Sequence, residues 1–210
     1  MRIIDISRTI SEDMVVYKGK PEKKPQIVKT KSFAEHGANE SIMNLDSQTG
    51  THADAFYHMM DNGKKIDQIP VDKFIGKCQV IDLTKVRNKI TDADLMKYKI
   101  SKNEIVLLKT KNYLEKEFDF NFTYLEKSGA EFLAKKGVRL VGIDQLSIER
   151  EQPQHETHIA LFKKGIPIVE GLDLSKVKEG KYLFIGFPIK VKDGDGAPVR
   201  AVLVQGKMEG

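Results

Sequence analysis

The stretch Tyr124-Leu-Glu-Lys-Ser-Gly-Ala-Glu-Phe-Leu-Ala-Lys-Lys136-Gly137-Val138-Arg-Leu-Val-Gly-Ile143 changes its apolar period halfway along, and that change decides the fold class. From Tyr124 to Lys136, Leu125, Ala130, Leu133 and Ala134 recur at helical spacing, and Gly137 follows where a helix commonly ends in a left-handed residue. Val138 to Ile143 is then a short apolar run broken only by Arg139, the pattern of a buried strand. A helix that feeds a buried strand is an α/β unit.

Working outward, Cys78 to Leu83 and Glu104 to Leu108 read as strands, with a short helix over Asp92 to Tyr98 capped by Thr91 between them. Arg2 to Ser7, Gln26 to Thr30 and Ser41 to Leu45 are short strand-like runs near the start. Thr49 to Pro70 is polar and dense in His, Asp and Gly, and carries no assignable regular structure. After it come a helix over His155 to Lys164 stopped by Gly165, an extended Ile166 to Val169, and strands over Lys181 to Phe187 and Val199 to Gln205. Asp193-Gly-Asp-Gly reads as the turn between the last two. Strands outnumber helices, no repeat or low-complexity linker divides the chain, and the expectation is a mixed α/β fold with residues 1–210 in one domain.

The 210 residues are 40% hydrophobic and 31% charged, a balance that excludes a disordered chain, a collagen-like fibre and a coiled coil. No apolar run approaches the roughly 20 residues of a membrane span. One cysteine, Cys78, rules out an intramolecular disulfide framework; without a signal peptide it suggests a reducing, cytoplasmic setting. Thirty-five basic and 30 acidic side chains leave a net charge of +5, which raises the question of nucleic acid. The excess is unfocused. Its densest stretch, Lys18 to Lys24, holds Gly19, Pro21 and Glu22 and no interleaved aromatics, so it reads as a solvated loop and no nucleic-acid partner is expected.

Four of the five histidines form two pairs far apart in the chain, His52 with His58 and His155 with His158; His36 sits alone in a polar stretch. In Gln48-Thr-Gly-Thr-His52-Ala-Asp54-Ala-Phe-Tyr-His58 the polar candidates occupy even positions, which share one face of an extended chain. An imidazole and a carboxylate two residues apart on that face can both reach a divalent cation at about 2.0 to 2.2 Å. His158 on a helix and Glu170 at the end of the returning strand offer a second pair of donors. A hydrogen-bonded loop is the competing reading of the first cluster. Cys78 reads as a small core residue, and Asp193 and Asp195 as turn residues without the spacing of a calcium loop.

The Gln48 to His58 segment resembles the signature His-x-Gly-Thr-His-x-Asp-x-Pro-x-His of the metal-dependent cyclase and kynurenine formamidase family. The resemblance continues in order through Ile4-Asp-Ile-Ser7, Asp67-Gln-Ile-Pro70, Gly142-Ile-Asp144, Gly165-Ile-Pro-Ile-Val-Glu170-Gly-Leu172 and Pro198-Val-Arg-Ala201, so it spans nearly the whole chain. It implies a swivelling β/β/α fold, a homodimer or higher homo-oligomer, a small-molecule substrate and one or two zinc ions, with manganese as the other metal of the family. Carried over by position, His52, Asp54, His158 and Glu170 match metal ligands and His58 matches the catalytic acid/base.

Two departures stand out. Gln48 replaces the first histidine of the signature and is a poorer ligand, which weakens one of two metal positions. Phe56 replaces the proline and is expected as an aromatic wall near the pocket, while Tyr17 falls where formamidases often carry a tryptophan against the substrate. The implied reaction is hydrolysis of an amide, N-formylkynurenine to kynurenine and formate in tryptophan catabolism. A lactone or an isatin-like cyclic amide, or a metal-binding module without turnover, are the alternatives.

Overall fold

Twelve short extended segments and four helices organise around one closed ring of strands in the structure, a computed structural model that describes residues 1–112 and 117–206. The strands are β1 (Arg2–Asp5), β2 (Gln26–Lys31), β3 (Glu40–Asn44), β4 (His52–Asp54), β5 (Ile75–Asp82), β6 (Lys89–Ile90), β7 (Ile105–Lys109), β8 (Tyr124–Leu125), β9 (Leu140–Ile143), β10 (Ile168–Glu170), β11 (Gly180–Pro188) and β12 (Gly196–Gln205). The helices are α1 (Phe33–His36), α2 (Asp92–Leu95), α3 (Lys127–Lys136) and α4 (Glu156–Phe162).

The main sheet runs β1-β12-β11-β5-β7-β9-β10-β4, and β12 also pairs with β4, which closes seven of the strands on themselves. Closure depends on the length of β12. Its first residues, Gly196 to Pro198, pair with β4, and its last, Val202 to Gln205, pair with β1, while Val199 to Val204 pair with β11 on the other edge. Within this sheet, strands β5, β7, β9 and β10 run parallel to one another and the other pairs are antiparallel. The parallel strands Ile105-Val-Leu-Leu-Lys109 and Leu140-Val-Gly-Ile143 are buried along their whole length, as expected for strands covered on both faces.

The period change at Gly137 is realised as read. Helix α3 ends there with Gly137 at φ 67°, and its N–H bonds back to Ala134 and Leu133. The helix starts later than its apolar pattern, because Tyr124 and Leu125 form β8 against Lys89 and Ile90 instead. Helix α2 is likewise shorter than Asp92 to Tyr98, and α4 starts at Glu156 after a tight turn over Pro153 to His155. Inside the segment left without structure, β4 forms the seam of the ring. Cys78 is fully buried in β5, as expected of a core residue. No helix among the described residues is long and apolar enough to cross a membrane.

Candidate metal centre

Alternation along β4 puts His52 and Asp54 on one face, and antiparallel pairing with β10 sets Glu170 directly opposite His52. Helix α4 delivers His158 to the same point. His52 Nε2 lies 3.6 Å from Asp54 Oδ1 and 3.3 Å from Glu170 Oε2; His158 Nε2 lies 3.4 Å from Asp54 Oδ2 and 3.5 Å from Glu170 Oε1. None of the four residues is more than 4% exposed.

Those spacings fit a cation. Donor atoms 2.0 to 2.2 Å from a four-coordinate cation stand about 3.3 to 3.6 Å apart, the range of these four imidazole–carboxylate contacts, each of which uses a different carboxylate oxygen. The unsatisfied atoms argue the same way: both Asp54 oxygens are buried and have no hydrogen-bond partner among the described residues. A buried carboxylate without donors is costly unless a positive charge faces it. Two imidazoles and two carboxylates form a donor set suited to a divalent cation.

Neighbours aim each donor. His52 Nδ1–H donates to the Gly50 carbonyl (2.9 Å), which turns Nε2 to the cluster; Glu149 Oε2 lies 3.0 Å from His158 Nδ1 and accepts from the His158 backbone N–H at 3.4 Å. Ile148 N–H donates to Glu170 Oε1 at 2.6 Å. Behind the strands, Thr51 Oγ1 donates to the Gly171 carbonyl (2.6 Å) and accepts from Arg8 N–H (2.8 Å); Arg8 Nε and Nη2 donate to Gly171 O and Asp144 O. These bonds tie the residues next to His52 and Glu170 together. Gly171 sits at φ 67°, and a Cβ on it would fall 2.1 Å from Gly50 O, so only glycine lets the two chains approach this closely.

The electrostatics follow from crowding. Burial opposes charge on the His52 imidazole, but Glu170 and Asp54 outweigh it and lift its pKa to about 9. His158 is lifted well above the ordinary histidine range, against its burial, by Asp54, Glu149 and Glu170. Burial would push Glu170 up; His158 and His52 hold it far below the usual carboxylate range instead. Protons thus take the place that a cation would fill, and the two compete for the same lone pairs.

A cavity of about 340 Å³ opens onto the cluster, and Tyr17, Gln48, His58 and His155 line it. His58 sits in a tight turn just beyond β4, and its Nδ1 lies 3.5 Å from Asp195 Oδ2. Burial opposes its protonation, and the Asp195, Asp54 and Glu170 carboxylates together outweigh it and raise its pKa. Gln48 points its amide nitrogen at Asp195 Oδ2 (3.1 Å) and His58 Nδ1 (3.4 Å), away from the four donors. Phe56 corrects the expectation of an aromatic wall: it is 8% exposed and packs on Phe162 with ring centroids 5.4 Å apart, in the core rather than on the cavity. The basic loop stays exposed or half-exposed, as read, and Lys18, Lys20 and Lys23 also edge the cavity, Lys23 pairing with Asp46 at 2.7 Å. A wider depression of about 580 Å³ between α3 and α4 is edged by lysines and lined by no buried residue.

Three residues of the site were missed in the sequence. Glu149 contacts His158 through one oxygen and His155 Nδ1 through the other. Asp195 reads as a turn residue, and nothing in the sequence singles out Arg8. Only the position of Glu149 between Gly142-Ile-Asp144 and the second histidine pair hints at a role.

Comparison with known proteins agrees along the chain. A family model described as putative cyclase matches residues 4–150. The kynurenine formamidase of Bacillus thuringiensis subsp. konkukian (strain 97-27) is 32% identical over 203 residues, covering 95% of this chain and 96% of that protein. Among solved structures, one described as a potential metal-dependent hydrolase with cyclase activity superposes with a TM-score of 0.89 at 41% identity, covering 96% of both chains. Another, a "predicted metal-dependent hydrolase" from Bacillus stearothermophilus, gives 0.87 at 40% identity, covering 96% and 97%.

Proposed function

Because the chain belongs to the putative cyclase family, we propose that it is a metal-dependent hydrolase acting on the C–N bond of an arylformamide, with N-formylkynurenine as the type substrate. The observation that carries this reading is the meeting of His52, Asp54, His158 and Glu170 at cation-ligand spacing on the floor of a cavity that His58 also lines.

A divalent ion held there supplies Lewis-acid polarisation of the substrate carbonyl and a more acidic water. Zinc would suit a set of imidazole and carboxylate donors; manganese prefers six oxygen-rich ligands. His52 and Asp54 from β4, His158 from α4 and Glu170 from β10 hold the ion. His58 takes a proton from the attacking water and returns it to the departing arylamine, with Nε2 as the working atom because Nδ1 faces Asp195. Tyr17 lines the cavity and stacks the aromatic part of the substrate.

The active form is a homodimer or higher oligomer. Among the described residues, strands β2 and β3 pair only with each other, and Val28 and Ile42, opposite one another, are 56% and 63% exposed. An isolated two-stranded ribbon is marginal in water, so a second copy covers it. Light scattering on purified protein reads the mass directly.

The decisive assay uses N-formylkynurenine, a lactone and isatin side by side, before and after chelation and after zinc or manganese is restored. Preferred turnover of the formamide, lost with the metal and regained with zinc, is expected. Turnover that survives metal removal sinks the mechanism, and preference for isatin or the lactone moves the substrate assignment. Metal binding without turnover of any of them leaves a binding module.

A further inference from the structure

Asp195 lies in the turn Asp193-Gly-Asp195-Gly that links β11 to β12, far in sequence from the residues described above. Two donors converge on one of its oxygens, beside a His58 Nδ1 that also stands 3.4 Å from Gln48 Nε2. Oδ2 accepts from Ser47 Oγ–H at 3.1 Å and from Gln48 Nε2–H at 3.1 Å, and His58 Nδ1 lies 3.5 Å away. The backbone of the same residue takes part as well, since Asp195 O accepts from Ala55 N–H at 2.9 Å, one residue past Asp54. Asp195 therefore holds both the chain between Asp54 and His58 and the His58 ring.

The local sequence makes room for this arrangement. A Cβ at position 196 would stand 2.5 Å from Gln48 Nε2 and 2.9 Å from Ala53 O, so Gly196 is what lets the Gln48 amide lie against the turn. Gln48 itself is pinned at its own N–H, which donates to Asp46 Oδ1 (2.9 Å), and Asp46 is anchored in turn by Lys23 (2.7 Å). An exposed ion pair alone would weigh little in this matter. Here the carboxylate is fixed by two neutral donors before the imidazole meets it, and the imidazole lines the cavity on its other side.

We infer that Asp195 is the positioning residue of His58, and that Gln48 serves as the donor that holds the Asp195 carboxylate in place rather than as a metal ligand. A carboxylate accepting from Nδ1–H fixes the tautomer whose Nε2 is unprotonated, and it fixes the plane of the ring. The same imidazole lines the cavity. The kinetic part of this inference rests on the hydrolase reading; the tautomer part does not.

The test uses zinc-loaded full-length protein labelled with ¹⁵N-histidine. Long-range ¹H–¹⁵N spectra read which His58 nitrogen carries the proton, and turnover of N-formylkynurenine is measured on the same samples. The wild type is expected as the Nδ1–H tautomer. Asp195→Asn and Asp195→Ala are expected to lose that preference and to lower kcat about ten- to a hundredfold, the range seen when a partner that orients a functional histidine is removed. KM and zinc content should stay within about twofold of the wild type. Gln48→Leu, which keeps the bulk and removes the donor, should move both readouts in the same direction and by less, with zinc content unchanged.

An unmoved His58 tautomer with unchanged kcat overturns the inference. So does loss of zinc in the Gln48 variant, which would make Gln48 a ligand. If the wild type turns over no arylformamide, the hydrolase reading fails while the spectra still decide the role of Asp195.

Discussion

Glu170 Oε2 lies 3.3 Å from His52 Nε2 because the two residues are register partners across antiparallel strands β10 and β4. The same strand β4 joins β10 to β12 and so closes the ring. The donors meet only when the ring closes, which couples cation binding to the tertiary fold, and Asp54, opposite Ile168 one step along, is carried in by the same pairing.

That coupling makes Asp54 the residue whose loss is felt first by the ion. Asp54→Asn keeps the volume and removes one negative charge from the centre of the cluster. A hundredfold excess of zinc over its Kd should stabilise the wild type by about 2.7 kcal/mol and raise its Tm. In the variant the zinc-dependent rise in Tm should vanish. A full zinc response in Asp54→Asn would place the ion elsewhere.

His58 is predicted to separate from the ligands by its effect on metal. His58→Ala should lower kcat by about 10²- to 10⁴-fold, the usual worth of a positioned proton carrier, with metal content per chain unchanged. Stoichiometric metal loss would make it a ligand instead.

Glu149 should act at one remove. Its carboxylate lies 3.0 Å from His158 Nδ1, while Nε2 of the same ring faces Asp54 and Glu170. Glu149→Gln should weaken zinc about ten- to a hundredfold in a competition titration with a coloured chelator. An unchanged affinity would mean that the packing of α4 alone orients the ring.

Asp144 gives the chain a pH dependence separate from the cluster. Its oxygens accept from Thr110 Oγ1 and Thr110 N–H at 2.6 and 2.7 Å, yet burial raises its pKa to about 7 from 3.8. The folded state thus holds this proton more tightly than the unfolded chain does. The contribution is fully present below pH 4 and is lost as pH rises toward 7, by at most about 4 kcal/mol. Denaturant midpoints for the wild type and Asp144→Asn should differ in slope between pH 4.5 and 7, with the variant the flatter one. Parallel slopes would show that Asp144 stays ionised throughout.

Much of this site was legible in the residues. The alternation in Gln48 to His58 placed His52 and Asp54 on one face, and the strand that carries them does so. The helix–glycine–strand passage at Gly137 forms as its periodicity dictates, since burying an apolar stripe leaves few choices of local structure. Helix starts were less legible: Tyr124 and Leu125 have helical spacing but pair with Lys89 and Ile90, a partner no local window contains. Phe56 was misread for the same reason, because Phe162, which draws it into the core, belongs to another element.

The sequence by itself determined which groups are available and which near neighbours share a face, because side-chain chemistry and backbone period are local properties. Only the tertiary structure decided that Glu170 stands opposite His52, that Asp195 reaches His58, and that Gln48 turns to a carboxylate instead of to the four donors. Register across a closed ring and the path of a distant turn depend on every strand between them. A hydrogen bond or a ligand contact is won or lost over less than an ångström, a precision that no short stretch of chain can encode.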